Sequence, residues 1–318
     1  MFLENLQFSL NATVPVFLMM VFGWFVKKIG LLDDHTTSTL NKFVFRTLLP
    51  ALLFMDLSTA DFRSVWDGRF VLFCMVITLI SVGIACLYSL IHKDKHERGE
   101  IIQASYRSSA AILGIAFVKN IYGEATMAAL MIVGTVPLYN IIAVTALSLT
   151  SPEKGGRSGK SLFLNTAKGI VTNPIIIGII IGMAWSIIGI PQPVMLQKSV
   201  SYLGNMATPL SLIALGASFK AEEAKDKLPV TVGIVCIKLL LFCALFLPVA
   251  VHFGFRGEKL IAILVMLGSA TTGSRFVMAK NFGHKGSITA LAVMLATLGS
   301  AFTLTGWLFL LKTFGYIG

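Results

Sequence analysis

Charge is scarce in this chain. Asp, Glu, Lys and Arg make up 13% of its 318 residues, against roughly 25% in soluble domains. Carboxylates are scarcest where they would matter most. No Glu falls deep in a long apolar run, and the one Asp to consider, Asp56, stands at a run's outer end. Proton relays inside a membrane use a buried carboxylate or His, so carboxylate-based proton coupling is disfavoured. The histidines, His35, His92, His96, His252 and His284, all fall at run ends or in loops, and no H-E-x-x-H spacing occurs. An intramembrane protease is thereby disfavoured. The four cysteines, Cys74, Cys86, Cys236 and Cys243, lie inside apolar runs with no C-x-x-C pair. They read as small core residues rather than disulfides or metal ligands. No polar stretch is long enough to house a soluble enzyme or a DNA-binding domain, so the sequence argues against an enzyme and calls for no cofactor.

Apolar residues are abundant: 56% of the chain is hydrophobic and the mean hydropathy is +0.83. Cutting at charged and Gly/Pro clusters predicts about ten spans of ~20 residues, at 7–27, 38–57, 69–91, 100–121, 125–149, 171–190, 197–219, 229–252, 258–281 and 287–311. The first run carries Glu4 and no basic region before it, and reads as an uncleaved helix. Fourteen Lys and Arg fall in loops on one side, including Lys27, Lys28, Lys93, Lys154, Lys220 and Lys285, against seven on the other. The positive-inside rule makes the first side cytoplasmic and leaves both termini outside, as expected of a multi-pass protein of the cell membrane. Topology thus accounts for most of the net charge of +11, and nucleic acid is not needed to explain it.

A shift of 159 residues superposes Pro15, Gly23, Gly30 and Pro50 on Pro174, Gly182, Gly189 and Pro209, and a shift of 160 places Tyr122 and Gly123 on Phe282 and Gly283. Residues 1–150 and 161–318 therefore read as two repeats of five spans each, joined by a Gly-rich cytoplasmic linker at 151–160. An odd number of spans inverts the second copy, as in secondary transporters. Residues 160–170 read as a brief interfacial helix.

Two matched stretches interrupt the apolar pattern. Arg107, Ser108, Ser109, Ala110 and Gly114 lie in the first, and Gly268, Ser269, Ala270, Thr271, Thr272, Gly273, Ser274 and Arg275 in the second. Small and hydroxylated residues beside an Arg at membrane depth predict two broken helices that cross, with Gly114, Gly268 and Gly273 as hinges. A break is tolerated there only around protein or a water-filled cavity, and half-helix N-termini favour an anion. Arg275 is the candidate carboxylate partner, since a guanidinium holds a carboxylate bidentately; the alternative is that it caps half-helix carbonyls. Arg107 is placed nearer the cytoplasm, in an access or structural role. Ser108, Ser109, Thr271, Thr272 and Ser274 offer hydroxyls, which in membrane helices commonly bond back to their own backbone. Tyr139 and Asn140, after Pro137, are the neighbouring polar pair. Lys238 lies mid-span, with snorkelling favoured over a role at the site.

The strings GIAFVKNIYG at 114–123 and FVMAKNFG at 276–283 resemble the auxin efflux carrier family, which includes plant PIN-type carriers and bacterial malate and malonate permeases. Pro-Leu-Tyr-Asn at 137–140, Asn-Pro at 173–174 and the stretch from Gly204 to Leu210 match as well. The resemblance implies an all-α polytopic membrane protein with a bile-acid-transporter-like fold, ten transmembrane helices in two inverted five-helix repeats crossing at helices 4 and 9. Spans 1, 2, 6 and 7 would form a scaffold that dimerises, and spans 3–5 and 8–10 a mobile transport domain. The implied function is secondary transport of small organic anions, such as malate, malonate or auxin-like carboxylates, by elevator-type alternating access. Arg275 stands where the family's pattern has a proline, and an added Arg suits a small mono- or dicarboxylate better than auxin. A sodium-coupled symporter of the same fold, with the ion near Thr271 and Thr272, and a membrane ligand sensor without transport are the alternatives.

Overall fold

The computed structural model describes residues 2–59, 66–110, 118, 121–122, 126–152, 171–220, 222 and 225–317, the side chains of 2–6, 8–10 and 12–13 excepted. Among them every regular element is helical. The order is α1 (Phe2–Lys28), α2 (Asp34–Phe43), a π-helical turn (Val44–Leu48), α3 (Leu49–Ser58), α4 (Gly68–Leu90), α5 (Arg98–Tyr106) and α6 (Thr126–Leu149). The second half holds α7 (Pro174–Ile188), α8 (Val194–Ser218), α9 (Leu228–Cys236), a second π-helical turn (Ile237–Leu241), α10 (Phe242–His252), α11 (Gly257–Gly268), α12 (Ser274–Asn281) and α13 (Ser287–Thr313). Gly114, most of the linker and the 160–170 stretch lie outside the described residues.

Local chemistry sets the helix ends. Asp33, Asp67 and Asn173 accept from the amides of Thr36, Phe70 and Ile175 at 2.6, 3.0 and 2.9 Å, the N-cap arrangement. Pro174 at the first helical position costs α7 no hydrogen bond. Gly189, at φ +75°, closes α7 in the left-handed conformation that only glycine adopts cheaply. The start of α13 is capped from another helix: Glu100 accepts from the amides of Gly286 and Thr289 at 2.9 and 3.0 Å and from the Thr289 hydroxyl at 2.9 Å. Glu100 is thus a buried carboxylate, but it is fully engaged in capping.

Among the described residues, five stretches are long and apolar enough to cross a membrane: Gly68–Leu90, Thr126–Leu149, Val194–Ser218, Leu228–His252 and Ser287–Thr313. α4 keeps Leu72, Leu79 and Leu87 exposed while Phe70, Cys74 and Ile77 are buried. α11, by contrast, is enclosed on every side, with Leu260 through Gly268 all buried. A helix that is apolar all round belongs at the centre of a bundle.

Glycines bring the outer helices together. A Cβ on Gly23 of α1 would collide with the Ile213 backbone of α8, and one on Gly182 of α7 would stand 2.9 Å from the Phe54 carbonyl oxygen of α3. The two contacts correspond under the 159-residue shift, which carries Gly23 to Gly182 and Phe54 to Ile213.

Candidate functional site

Both predicted breaks are present and face one another. α5 ends at Tyr106, and Arg107 leaves it in an extended conformation at φ −78°, ψ 136°. α11 ends at Gly268 and α12 begins at Ser274, with Ser269 extended between them. The interruptions exchange hydrogen bonds. The Ser109 amide donates to the Ala270 carbonyl at 2.9 Å, the Thr271 hydroxyl to the Arg107 carbonyl at 3.2 Å and the Gln103 amide group to the Arg275 carbonyl at 3.2 Å. Each unwound strand thus satisfies part of the other's backbone, as a break inside a bundle requires.

The hydroxyls divide into two groups. Ser81, Ser105, Thr135 and Ser211 bond back to carbonyls four residues earlier in their own helices. Ser108 reaches across instead, donating to the Met266 carbonyl at 2.5 Å and accepting from Lys238 Nζ at 2.7 Å. Thr272 and Ser274 pair with one another at 2.7 Å. Tyr139 OH donates to the same Met266 carbonyl at 3.3 Å, and its ring packs edge-on against Tyr106, 5.7 Å between centroids.

Three cations are enclosed here. Arg107, Arg275 and Lys238 are 5%, 1% and 0% exposed. Arg107 donates to Asn140 Oδ1 at 2.8 Å, to Gln103 Oε1 at 3.4 Å and to Met278 Sδ at 3.1 Å. Arg275 Nε and Nη1 and Arg107 Nε are buried without a hydrogen-bond partner among the described residues. Nor does any described carboxylate pair with the three; the ion pairs Lys27–Asp34, His92–Glu97, Lys227–Glu97 and Lys259–Asp67 all lie elsewhere. An uncompensated buried cation costs several kcal/mol, and negative charge within the cluster would offset that cost.

A cavity of about 70 Å³ opens at the breaks. Arg107, Ser108, Ser109, Tyr139, Asn140, Thr272, Ser274 and Arg275 line it on one side; Leu49, Leu53, Asp56, Ile175 and Thr208 do so on the other. Eight of the nine candidate binding residues therefore meet in one place. Thr271 stands behind the lining, on the Arg107 carbonyl. Gly268 and Gly273 flank the second break but neither has a positive φ. Their value is space: a Cβ on Gly268 would lie 2.7 Å from Cys243 Sγ, and one on Gly273 3.0 Å from Leu212 Cδ2.

Sequence reasoning misplaced two residues, Lys238 and Asp56. Lys238 does not snorkel; it is wholly buried in the second π-helical turn, which presents it to Ser108. Arg107, given an access or structural role, lines the cavity while it bonds to Asn140 and Gln103. Asp56, placed at a span's outer end, lines the cavity opposite the arginines. Gln103 was not considered, although its position one helical turn before Arg107 would have suggested a partner.

Helices long enough to span a bilayer, a centre interrupted by facing breaks and a buried cationic cavity define a polytopic membrane protein of the transport class. The family relation agrees: the "Membrane transport protein" family model matches residues 8–308, and the chain belongs to that family. The relation signalled by the 114–123 and 276–283 motifs thus holds. Among curated relatives, the "Putative malonate transporter" of Rhizobium meliloti is 22% identical over 313 residues, covering 94% of this chain and 95% of the relative. An "Uncharacterized transporter" of Methanothermobacter thermautotrophicus is 20% identical, covering 94% and 97% of the two chains. The "Uncharacterized transporter YfdV" of Escherichia coli K12 is 19% identical, covering 96% and 98%.

Proposed function

We propose that the protein is a secondary carrier of small organic anions, with malonate- or malate-sized dicarboxylates as its substrate class, bound where the two breaks meet. One observation carries this reading. Arg107, Arg275 and Lys238 are buried together with no carboxylate partner among the described residues, and two nitrogens of Arg275 are unsatisfied beside the cavity. A substrate carboxylate would supply the missing acceptors and offset the buried charge. The malonate named for the Rhizobium relative is an anion of this class.

In the proposed architecture ten spans form two inverted repeats, and the exchange of the Gly23–Ile213 and Gly182–Phe54 contacts under the repeat shift supports it. α1, α2–α3, α7 and α8 would be the scaffold, dimerising in the cell membrane with both termini outside. The remaining helices would move against it as an elevator. The cavity lies between these groups: Leu53, Ile175 and Thr208 come from the first and the arginines from the second, so relative sliding would open it to either side. A sodium ion beside Thr271 and Thr272 would face repulsion from the same cations, so substrate exchange is expected without sodium.

Counterflow of radiolabelled malonate and malate into proteoliposomes, with and without sodium, tests the reading. Exchange by the wild type and its loss in a folded Arg275→Gln variant is the expected outcome. Binding without flux would make the protein a sensor, and equal exchange by both proteins would remove Arg275 from the site.

A further inference from the structure

Lys238 is wholly buried, yet it does not line the cavity at the breaks. It lies behind Ser108, which does, and its Nζ donates to Ser108 Oγ at 2.7 Å. Ser108 carries the contact onward by donating to the Met266 carbonyl at 2.5 Å, where Tyr139 OH also donates at 3.3 Å. Met266 stands in the last turn of α11, which ends at Gly268. Because the helix breaks there, hydroxyls fill the place of the next turn's amide on this carbonyl. Ser269, the cap of α11, keeps its buried hydroxyl without a partner among the described residues, so an unused oxygen stands at the same helix end. α11 packs on the π-helical turn that bears Lys238 and on α10, where a Cβ on Gly268 would lie 2.7 Å from Cys243 Sγ.

The last carbonyls of a helix form the negative end of its dipole and suit a cation. Carriers with broken helices hold coupling cations at such half-helix ends, on carbonyls freed by the break. Here the cation belongs to the chain itself. Arg275 and Arg107 are the cations that act on Lys238, and both oppose it. A free cation added to these three would meet that repulsion, whereas one that replaced Lys238 would leave the charge of the cluster unchanged.

We propose that the Lys238 ammonium is a tethered cation filling a seat for a small monovalent cation, formed by Ser108 Oγ and the C-terminal end of α11. Removing the side chain would open this seat to a free cation, either sodium or a small alkylammonium. The seat does not depend on the carrier reading. Its consequence rests on that reading: a carrier that supplies its own cation needs no external one to bind its anion. Lys238 would then be a positioning residue, holding Ser108 from behind on the cavity wall.

The test uses the full-length protein in detergent at constant ionic strength, with choline chloride exchanged for ethylammonium chloride or sodium chloride. The readouts are the thermal midpoint and the binding of radiolabelled malonate. Lys238→Ala is expected to lower the midpoint, and ethylammonium to restore it most, sodium in part and the bulkier choline not at all. The wild type should ignore all three, as should Lys238→Met, in which a neutral chain of similar length fills the space. Malonate affinity should fall about tenfold in Lys238→Met, and ethylammonium should restore it in Lys238→Ala alone. A Lys238→Ala midpoint indifferent to both small cations, an equal response by the wild type, or wild-type malonate affinity in Lys238→Met would overturn the proposal. If Lys238→Ala is too unstable to isolate in choline, its isolation in ethylammonium counts as rescue, and failure in both overturns the proposal. A wild type that binds no malonate would remove the carrier reading, while the midpoints would still decide the cation seat.

Discussion

Two contact zones of this molecule are built on opposite principles. Where α1 meets α8 and α3 meets α7, Gly23, Gly178, Gly182 and Gly216 let backbones touch, and close packing needs nothing more. Where the breaks meet, the enclosed groups are Arg107, Arg275 and Lys238, and hydrogen-bond donors are left over. The first zone is complete as it stands. The second is short of negative charge and acceptors, which is a condition a substrate can relieve. Stability and recognition are thus carried by different residues, and substitutions should separate them.

The sharpest separation comes from Arg275→Gln. It should cut anion exchange by at least about 100-fold, the equivalent of one lost buried charge pair, yet leave the thermal midpoint of the unliganded protein unchanged or raised. A collapse in that midpoint would erase the distinction between the zones. Gly182→Leu should do the reverse. Overpacking against Phe54 should cost about 1–3 kcal/mol in a reversible unfolding measurement, with anion affinity unchanged in the folded fraction. Ser108→Ala touches both properties, because it strands Lys238 and leaves the Met266 carbonyl with the Tyr139 hydroxyl alone. A loss of about 1 kcal/mol in stability and about tenfold in anion affinity is expected by thermal shift with and without substrate.

The smallest effect concerns pH, outside both zones. The Lys259 ammonium beside Asp67, helped by the Phe70 amide, holds that carboxyl below the usual carboxylate range. The unfolded carboxyl titrates near ~4 and the folded one lower, so the pair stabilises above about pH 4 and this is lost as pH falls through the folded value. Both partners are about a third exposed, which limits the contribution to less than ~1 kcal/mol. Lys259→Met should flatten this acid limb of a midpoint-against-pH curve and leave the anion site untouched.

Much of this was legible in the sequence. Apolar runs fixed the helices closely: the runs at 69–91 and 229–252 became Gly68–Leu90 and Leu228–His252, because little besides hydropathy decides a spanning helix. The site was legible because Arg, Ser and Thr are costly at membrane depth and so conspicuous there. What remained hidden depends on direction rather than composition. A π-helical turn at Ile237–Leu241 rotates Lys238 inward, and no residue type announces such a turn. Asp56 looks peripheral along the chain, but α3 faces α5 and α6 across the cavity. Of the outer-zone glycines, Gly23 and Gly182 were visible only as repeat positions, not as places where backbones meet, and Gly178 was not singled out at all.

The most direct test of the uncompensated cation cluster is equilibrium binding of radiolabelled malonate and malate to the purified protein, comparing wild type with Arg275→Gln at matched thermal stability. Saturable binding by the wild type that weakens at least about 100-fold in the variant is the expected result. Equal affinity in the two proteins would contradict it, and would return Arg275 to the role of a helix cap.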